Sequence, residues 1–100
     1  MSEQEIEKEI QAKGLVAPRL TPDSIDDAIK YVAYHVFNGS CLTVCCLTLK
    51  NDFTVTGESA CASPENFDRA IGEKIAFNNA RDKVWALEGY LLKQRLFEDK

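Results

Sequence analysis

Polar and basic side chains cluster in the C-terminal third of the chain, where apolar spacing predicts a helix. Asn78, Asn79, Arg81 and Asp82 occupy positions at which a helix that only packs on a core would carry more apolar residues. Guanidinium groups match phosphate oxygens in geometry, and asparagine side chains both donate and accept hydrogen bonds, as a ribose or base edge requires. The register therefore predicts a site for a polar, anionic small molecule.

Further candidate residues lie outside this register. Two more arginines offer phosphate contacts, two phenylalanines offer rings that could stack on a base, and two residues after a predicted strand could line the mouth of the site. The predicted ligand-binding set is Arg19, Glu58, Ser59, Phe67, Phe77, Asn78, Asn79, Arg81 and Arg95. The alternative for each is structural, because helical arginines usually lie in solvent and aromatic rings usually pack.

No residue pattern indicates catalysis or metal binding. The chain has one histidine, His35, and its glycines are scattered rather than grouped in a phosphate loop. The four cysteines, at positions 41, 45, 46 and 61, lack the paired spacing of a zinc site and read as small buried thiols of a reducing compartment. We expect no catalytic residue, no metal and no cofactor.

Charge and hydropathy exclude several classes of partner. A formal charge of −4 and a pI near 4.9 disfavour binding to a nucleic-acid duplex, which needs dense Lys and Arg. No apolar run approaches the roughly 20 residues that span a bilayer, and the N-terminal residues are acidic where a signal peptide is basic and then apolar. We expect a cytoplasmic protein with no membrane partner.

Helix signals dominate the first part of the chain. Residues 1–14 predict a helix capped by Ser2 and ended by Gly14, with so few apolar residues that it forms a mobile arm or docks on a neighbouring subunit. Residues 15–100 are predicted to form a single α+β domain. A second helix is expected to begin at Thr21-Pro22 and to run through Val36, ending at Asn38-Gly39.

A hairpin and one long helix are predicted for the remainder. Residues 41–49 and 53–56 read as antiparallel strands around an Asn51-Asp52 turn. The last helix is expected to run from Pro64 to about Phe97, roughly 50 Å, with a possible break at Asn78-Asn79. Apolar residues on both faces of the first strand, and two apolar stripes on the last helix, predict an oligomer.

The motifs, taken together, resemble those of a known family. They cover about residues 17–96 and comprise Pro18-Arg19-Leu20-Thr21-Pro22, Leu42-Thr43-Val44-Cys45, Phe53-Thr54-Val55-Thr56-Gly57-Glu58-Ser59-Ala60, Pro64-Glu65-Asn66-Phe67-Asp68, Ile71-Gly72, Asn79-Ala80 and Trp85-Ala86-Leu87-Glu88-Gly89-Tyr90-Leu91-Leu92. This combination resembles a family of small phage and prophage proteins of long-unassigned function. That family is similar to the first type of Thoeris anti-defence protein, a phage sponge for cyclic ADP-ribose-type signals and, in some members, cyclic oligonucleotides.

The resemblance implies a function as well as an assembly. It implies a non-enzymatic binder, a homodimer or higher oligomer with pockets between subunits, which sequesters a nucleotide-derived immune signal in the bacterial host cytosol during phage infection. The residues alone leave a second hypothesis open. The acidic first helix or an exposed apolar patch could instead bind and inhibit a host protein.

Overall fold

A computed structural model of the protein describes residues 2–99. The elements in chain order are α1 (Glu3–Ala12), α2 (Pro22–Ala28), β1 (Ile29–Val36), β2 (Thr43–Leu49), β3 (Thr54–Ser59), a 3-10 turn (Pro64–Asn66) and α3 (Arg69–Glu98). The strands form one antiparallel sheet in the order β1-β2-β3, and α3 packs against β2 and β3. The predicted α+β fold, with N-terminal helices, a hairpin and a long C-terminal helix, is confirmed.

Side-chain caps set the starts of the helices. The Ser2 hydroxyl accepts a hydrogen bond from the Glu5 amide at 3.1 Å, as the sequence predicts. At α2, Thr21 and Ser24 cap each other's backbone amides, and Pro22 occupies the first turn. Such caps satisfy amide groups that have no partner within the helix.

The prediction that the second helix reaches Val36 is wrong. The helix ends at Ala28, and Ile29–Val36 forms strand β1, paired with β2. The apolar residues of this segment fit both the helical period of 3.6 residues and the two-residue alternation of a strand. The density of β-branched and aromatic residues favours the strand, where such side chains pack well on the pleated surface.

The predicted hairpin forms the other two strands. The turn lies at the predicted place, but of its two residues Asp52 alone adopts a left-handed conformation, with φ of 71°, so it lacks the paired positive φ angles of a type I′ turn. Along β2 the side chains alternate strictly, with Thr43, Cys45, Leu47 and Leu49 buried and the residues between them half-buried. The half-buried face, which includes Val44 and Cys46, is the face opposite α3.

The last helix begins later than predicted and does not break. Residues 64–66 form a separate 3-10 turn, after which the Asp68 side chain caps α3 by accepting from the Ile71 amide at 3.1 Å. The helix is continuous over 30 residues, about 45 Å, through Asn78 and Asn79. No break occurs because the Asn79 side chain donates to a strand carbonyl rather than competing for its own backbone.

The core lies between α3 and the sheet. Ala76, Ala80 and Val84 of the helix are fully buried against Cys45 and Leu47 of β2. Gly57 of β3 lets the two backbones approach closely, since a β-carbon there would lie 2.2 Å from the Ala80 amide nitrogen. The C-terminal turns of α3 carry exposed Leu87, Tyr90, Leu91, Leu96 and Phe97.

Candidate functional site

Arg81 joins three elements through hydrogen bonds from its guanidinium group. Its guanidinium donates to Glu3 at 2.6 Å, to Asp26 at 2.8 Å and to the Pro22 carbonyl at 3.1 Å, and its side chain is 12 % exposed. Hydrogen bonding to the Glu3 carboxylate raises the pKa of Arg81, and the same bond lowers the pKa of Glu3. Arg81 therefore anchors α1 and α2 to α3.

Arg19 is also held inside the protomer. Its two terminal nitrogens bind both oxygens of Glu7, at 2.7 and 2.8 Å, in the bidentate geometry typical of strong arginine–carboxylate pairs. Hydrogen bonding from Arg19 lowers the pKa of Glu7. The N-terminal helix, predicted to be a mobile arm or to dock on another subunit, thus rests on its own domain through Glu3 and Glu7.

Asn79 belongs to a contact between α3 and the outer edge of β3. Its side-chain amide donates to the Glu58 carbonyl at 2.9 Å, and the Lys83 ammonium donates to the Thr56 carbonyl at 2.6 Å. Carbonyls at an open sheet edge are otherwise available to a new strand. These two side chains close the β3 edge, so the Asn79 amide has one structural partner already.

The other predicted residues on α3 lie apart from one another. Phe77 packs, half-buried, against the core, while Asn78 is exposed. Arg95 lies on an exposed turn near the end of α3, beside a groove of about 330 Å³ that also includes Asp27 and Glu88. None of the three therefore shares a cavity with another predicted residue within the described chain.

Two predicted residues meet in one shallow depression, here called the Phe67 cleft. Its volume is about 100 Å³, and it is lined by Cys41, Ser59, Ala60, Cys61, Asn66, Phe67, Asp68, Ile71, Gly72 and Ile75. It lies where β3 ends and α3 begins, and the Phe67 ring is 37 % exposed. Small-molecule pockets typically have volumes of about 300–1,000 Å³, so the Phe67 cleft of one protomer is only part of such a site.

The separation along α3 limits which predicted residues can act together. Arg95 lies 26 residues beyond Arg69, the first residue of α3. This spacing puts Arg95 about 40 Å along the helix from the end that borders the cleft. Phe67 and Arg95 of one protomer cannot touch the same small molecule. The predicted set therefore divides into a cleft pair, three residues in intramolecular contacts and residues that lie elsewhere.

Sequence reasoning missed several residues of the cleft. Asn66, Ile71 and Ile75 line it beside Phe67, and helical spacing from Ile71 to Ile75 was a signal for a shared face. The prediction of buried thiols is correct for Cys45 and wrong for the other cysteines, since Cys41 and Cys61 are half-buried and both line the cleft. The 3-10 turn that orients Phe67 left no comparable pattern in the sequence.

Within residues 2–99, no three or more His, Cys, Asp and Glu side chains are grouped so that they could hold a metal ion. Over this part of the chain, no helix is both long enough and apolar enough to span a membrane.

Comparison with known proteins identifies a family. A sequence model described as the phage protein (N4 Gp49/phage Sf6 gene 66) family matches residues 20–96, from the start of the α2 cap to the last turns of α3. No curated protein and no solved structure matches the chain. The match spans every strand, the Phe67 cleft and most of α3, so the chain belongs to the N4 Gp49/phage Sf6 gene 66 family of phage proteins.

Proposed function

We propose that this phage protein captures a nucleotide-derived immune signal, of the cyclic ADP-ribose type or a cyclic oligonucleotide, and holds it without cleaving it. It would act in the cytoplasm of the infected host. The observation that carries the proposal is the Phe67 cleft, in which a partly exposed aromatic ring lies beside the hydroxyl of Ser59 and the amide of Asn66. A ring of this kind stacks on a base, and the polar groups can bind its edge or a ribose.

The proposed site is completed by a second copy of the chain. The cleft is too small for a nucleotide and is bordered by the acidic residue Asp68, so an anionic ligand needs cations from elsewhere. Arg19 and Arg81 are already paired with carboxylates of their own protomer. Arg95 is exposed and makes no ion pair within residues 2–99, which leaves its guanidinium able to bind phosphate.

Two copies arranged with their α3 helices antiparallel would unite these groups. In that arrangement, the last turns of one helix lie beside the first turns of the other, which removes the separation of about 40 Å between Arg95 and the cleft. Exposed apolar side chains at both ends of α3, including Ile71, Ile75 and Leu96, supply surface for such a contact. Asn78, exposed between them, would face the ligand or the second copy.

Calorimetric titration tests the proposal. A panel of cyclic ADP-ribose isomers and cyclic oligonucleotides is titrated into the wild-type protein, and chromatography of the recovered ligand checks that it stays intact. Loss of one stacking ring typically costs about 1–3 kcal/mol, so Phe67→Ala should weaken binding roughly 5- to 150-fold. Phe53→Ala removes another exposed aromatic ring, outside the cleft, and should bind as the wild type does.

Two results would contradict this function. Absence of heat across the whole panel at micromolar protein would remove the proposed ligand class. Equal weakening by Phe67→Ala and Phe53→Ala would show that binding does not use the cleft.

A second candidate function is inhibition of a host protein. Unlike β3, whose outer carbonyls are covered by Asn79 and Lys83, strand β1 is the other edge of the sheet, and its Tyr31 is 63 % exposed. Exposed edges and aromatic side chains of this kind favour protein partners. Affinity capture from host lysate with this protein as bait separates the two functions. Recovery of a host protein in stoichiometric amount, without bound nucleotide, would support the second function.

A further inference from the structure

Cys41 and Cys61 each lie two residues beyond the open end of the β2–β3 ladder, Cys41 before β2 and Cys61 after β3. The last pair of the ladder is Thr43 with Ser59, and extending the same register by two residues pairs Cys41 with Cys61. Side chains two positions apart on a strand share a face, so this extended register would place both thiols on the side of Thr43 and Ser59. Directly opposed antiparallel residues have Cα atoms about 4.5–5.5 Å apart, within the range of about 4.4–6.8 Å that a disulfide spans.

Two further observations place these thiols together. Both line the Phe67 cleft, and both are half-buried, so a small reagent can reach them. The neighbouring Cys61 thiol and, to a smaller extent, burial raise the pKa of Cys41, as expected of two thiols that lie close together.

The other two cysteines have no such partner. Cys45 is fully buried and lies opposite Gly57, while Cys46 points to the opposite face and lies opposite Thr56. Adjacent strand residues point to opposite faces, so Cys45 and Cys46 cannot join each other without distortion. The four free thiols therefore contain one matched pair.

We propose that Cys41 and Cys61 form a thiol–disulfide exchange site at the Phe67 cleft, one that reacts reversibly with small-molecule disulfides such as glutathione disulfide. The Cys61 thiol loses its proton to solvent and its thiolate attacks one sulfur of glutathione disulfide, which forms a mixed disulfide and releases one glutathione thiolate. The Cys41 thiol then loses its proton to solvent, and its thiolate attacks the Cys61 sulfur and releases the second glutathione as a thiolate. The two glutathione thiolates take up the two protons. Two protein thiols are oxidised and one glutathione disulfide is reduced to two glutathione molecules.

The order of attack follows from the surroundings of the two sulfurs. The raised pKa of Cys41 keeps its thiol protonated while the Cys61 thiol lies beside it, which disfavours a first attack by Cys41. In the mixed disulfide, Cys61 is no longer a thiol, so it no longer raises the pKa of Cys41. The disulfide would tie the start of β2 to the segment after β3 that carries Phe67. Formation of the disulfide does not require the proposed function, whereas any effect of the disulfide on ligand binding rests on it.

Oxidation of the intact chain by glutathione disulfide tests the site. The treated protein is digested without reductant, and the peptides are identified by mass spectrometry. We expect one linked peptide pair joining Cys41 to Cys61, a chain mass lower by two hydrogen atoms, and a fall from four to two thiols titrated after denaturation. Dithiothreitol should restore all four.

Matched variants separate this pair from general thiol chemistry. Cys46→Ser removes a half-buried thiol on the other sheet face and should leave the Cys41–Cys61 product unchanged. Cys41→Ser should stop the reaction at a glutathione adduct on Cys61, detected by its added mass. A product that links other cysteines, a disulfide between chains, or four remaining thiols in the wild type would each overturn the proposal, and none of these results depends on the nucleotide ligand.

Discussion

Gly57 is the position at which a single side-chain atom most directly affects the fold. A β-carbon there would lie 2.2 Å from the Ala80 nitrogen and 2.4 Å from the Ala76 oxygen, both in the backbone of α3. Helix backbone cannot shift as a flexible side chain can, so the sheet and helix would have to separate. The fit between β3 and α3 therefore depends on glycine at this one residue.

Gly57→Ala should destabilise the protein strongly, while Gly89→Ala should stabilise it. We expect a loss of about 3 kcal/mol for Gly57→Ala because the added methyl group overpacks the contact. At Gly89 a new β-carbon meets only the Leu20 side chain at 3.8 Å, an ordinary contact, and alanine gains about 0.5–1 kcal/mol in a helix. Urea denaturation measures both variants, and a Gly57→Ala protein as stable as the wild type would contradict the close packing at Gly57.

The two neighbouring asparagines offer a second comparison between single residues. Asn79→Ala should cost about 1 kcal/mol of unfolding free energy, since it removes the hydrogen bond to the Glu58 carbonyl. Asn78→Ala should leave stability unchanged or slightly raised, because Asn78 is exposed and alanine is the better helix former. Thermal denaturation of both variants checks this, and equal melting temperatures would show that the Asn79 contact contributes nothing.

At the scale of elements, α1 is attached to the domain mainly through carboxylates. Glu3 binds Arg81 and accepts from the Trp85 indole at 3.1 Å, and Glu7 binds Arg19. Between α1 and Trp85 lies a gap of about 390 Å³ lined mostly by apolar side chains, so apolar packing there is incomplete. Docking of this helix therefore depends on charge.

Acid should release α1 before the domain unfolds. The pKa values of Glu3 and Glu7 lie below the ordinary 4.5 in the folded state, so docking is fully stabilised above that value and weakens as pH falls through the lowered pKa values. Fluorescence of the single tryptophan, Trp85, should shift to longer wavelength in this range, while circular dichroism still reports the sheet. The Glu3→Gln, Glu7→Gln double variant should lack the transition; its persistence there would contradict this attachment.

Local signals predicted some elements well and others poorly. The caps at Ser2 and Thr21 and the Asn51-Asp52 turn depend on neighbouring residues, and they were correct. Strand β1 was missed because its apolar residues satisfy both periods, and only pairing with β2 decides between them.

The same limit applies to the candidate site. Arg81 was predicted to bind a ligand, whereas its partners in the fold are Glu3 and Asp26, which lie 78 and 55 positions away along the chain. Residue type shows that a guanidinium needs an anion, and only the fold shows whether that anion belongs to the protein or to a ligand. Phe67 and Ser59 meet because the 3-10 turn returns the chain to the end of β3.

The whole molecule is elongated, with principal extents of 53 × 30 × 18 Å. Its long helix places the Phe67 cleft near one end and Arg95 near the other, while one sheet face stays uncovered by α3. An anionic ligand held by both groups requires two copies, and this is the central claim of the proposed function. The family match covers residues 20–96, and the family description names no ligand.

Complementation between two inactive variants tests that claim most directly. Phe67→Ala and Arg95→Ala are each titrated with the panel ligand that binds the wild type tightest, then mixed in equal amounts under conditions that exchange subunits. Neither variant alone should bind well, but every mixed dimer has one intact site, so the mixture should regain about a quarter of the wild-type capacity. A mixture that binds no better than its components, or Arg95→Ala binding as tightly as the wild type, would contradict a site shared between copies.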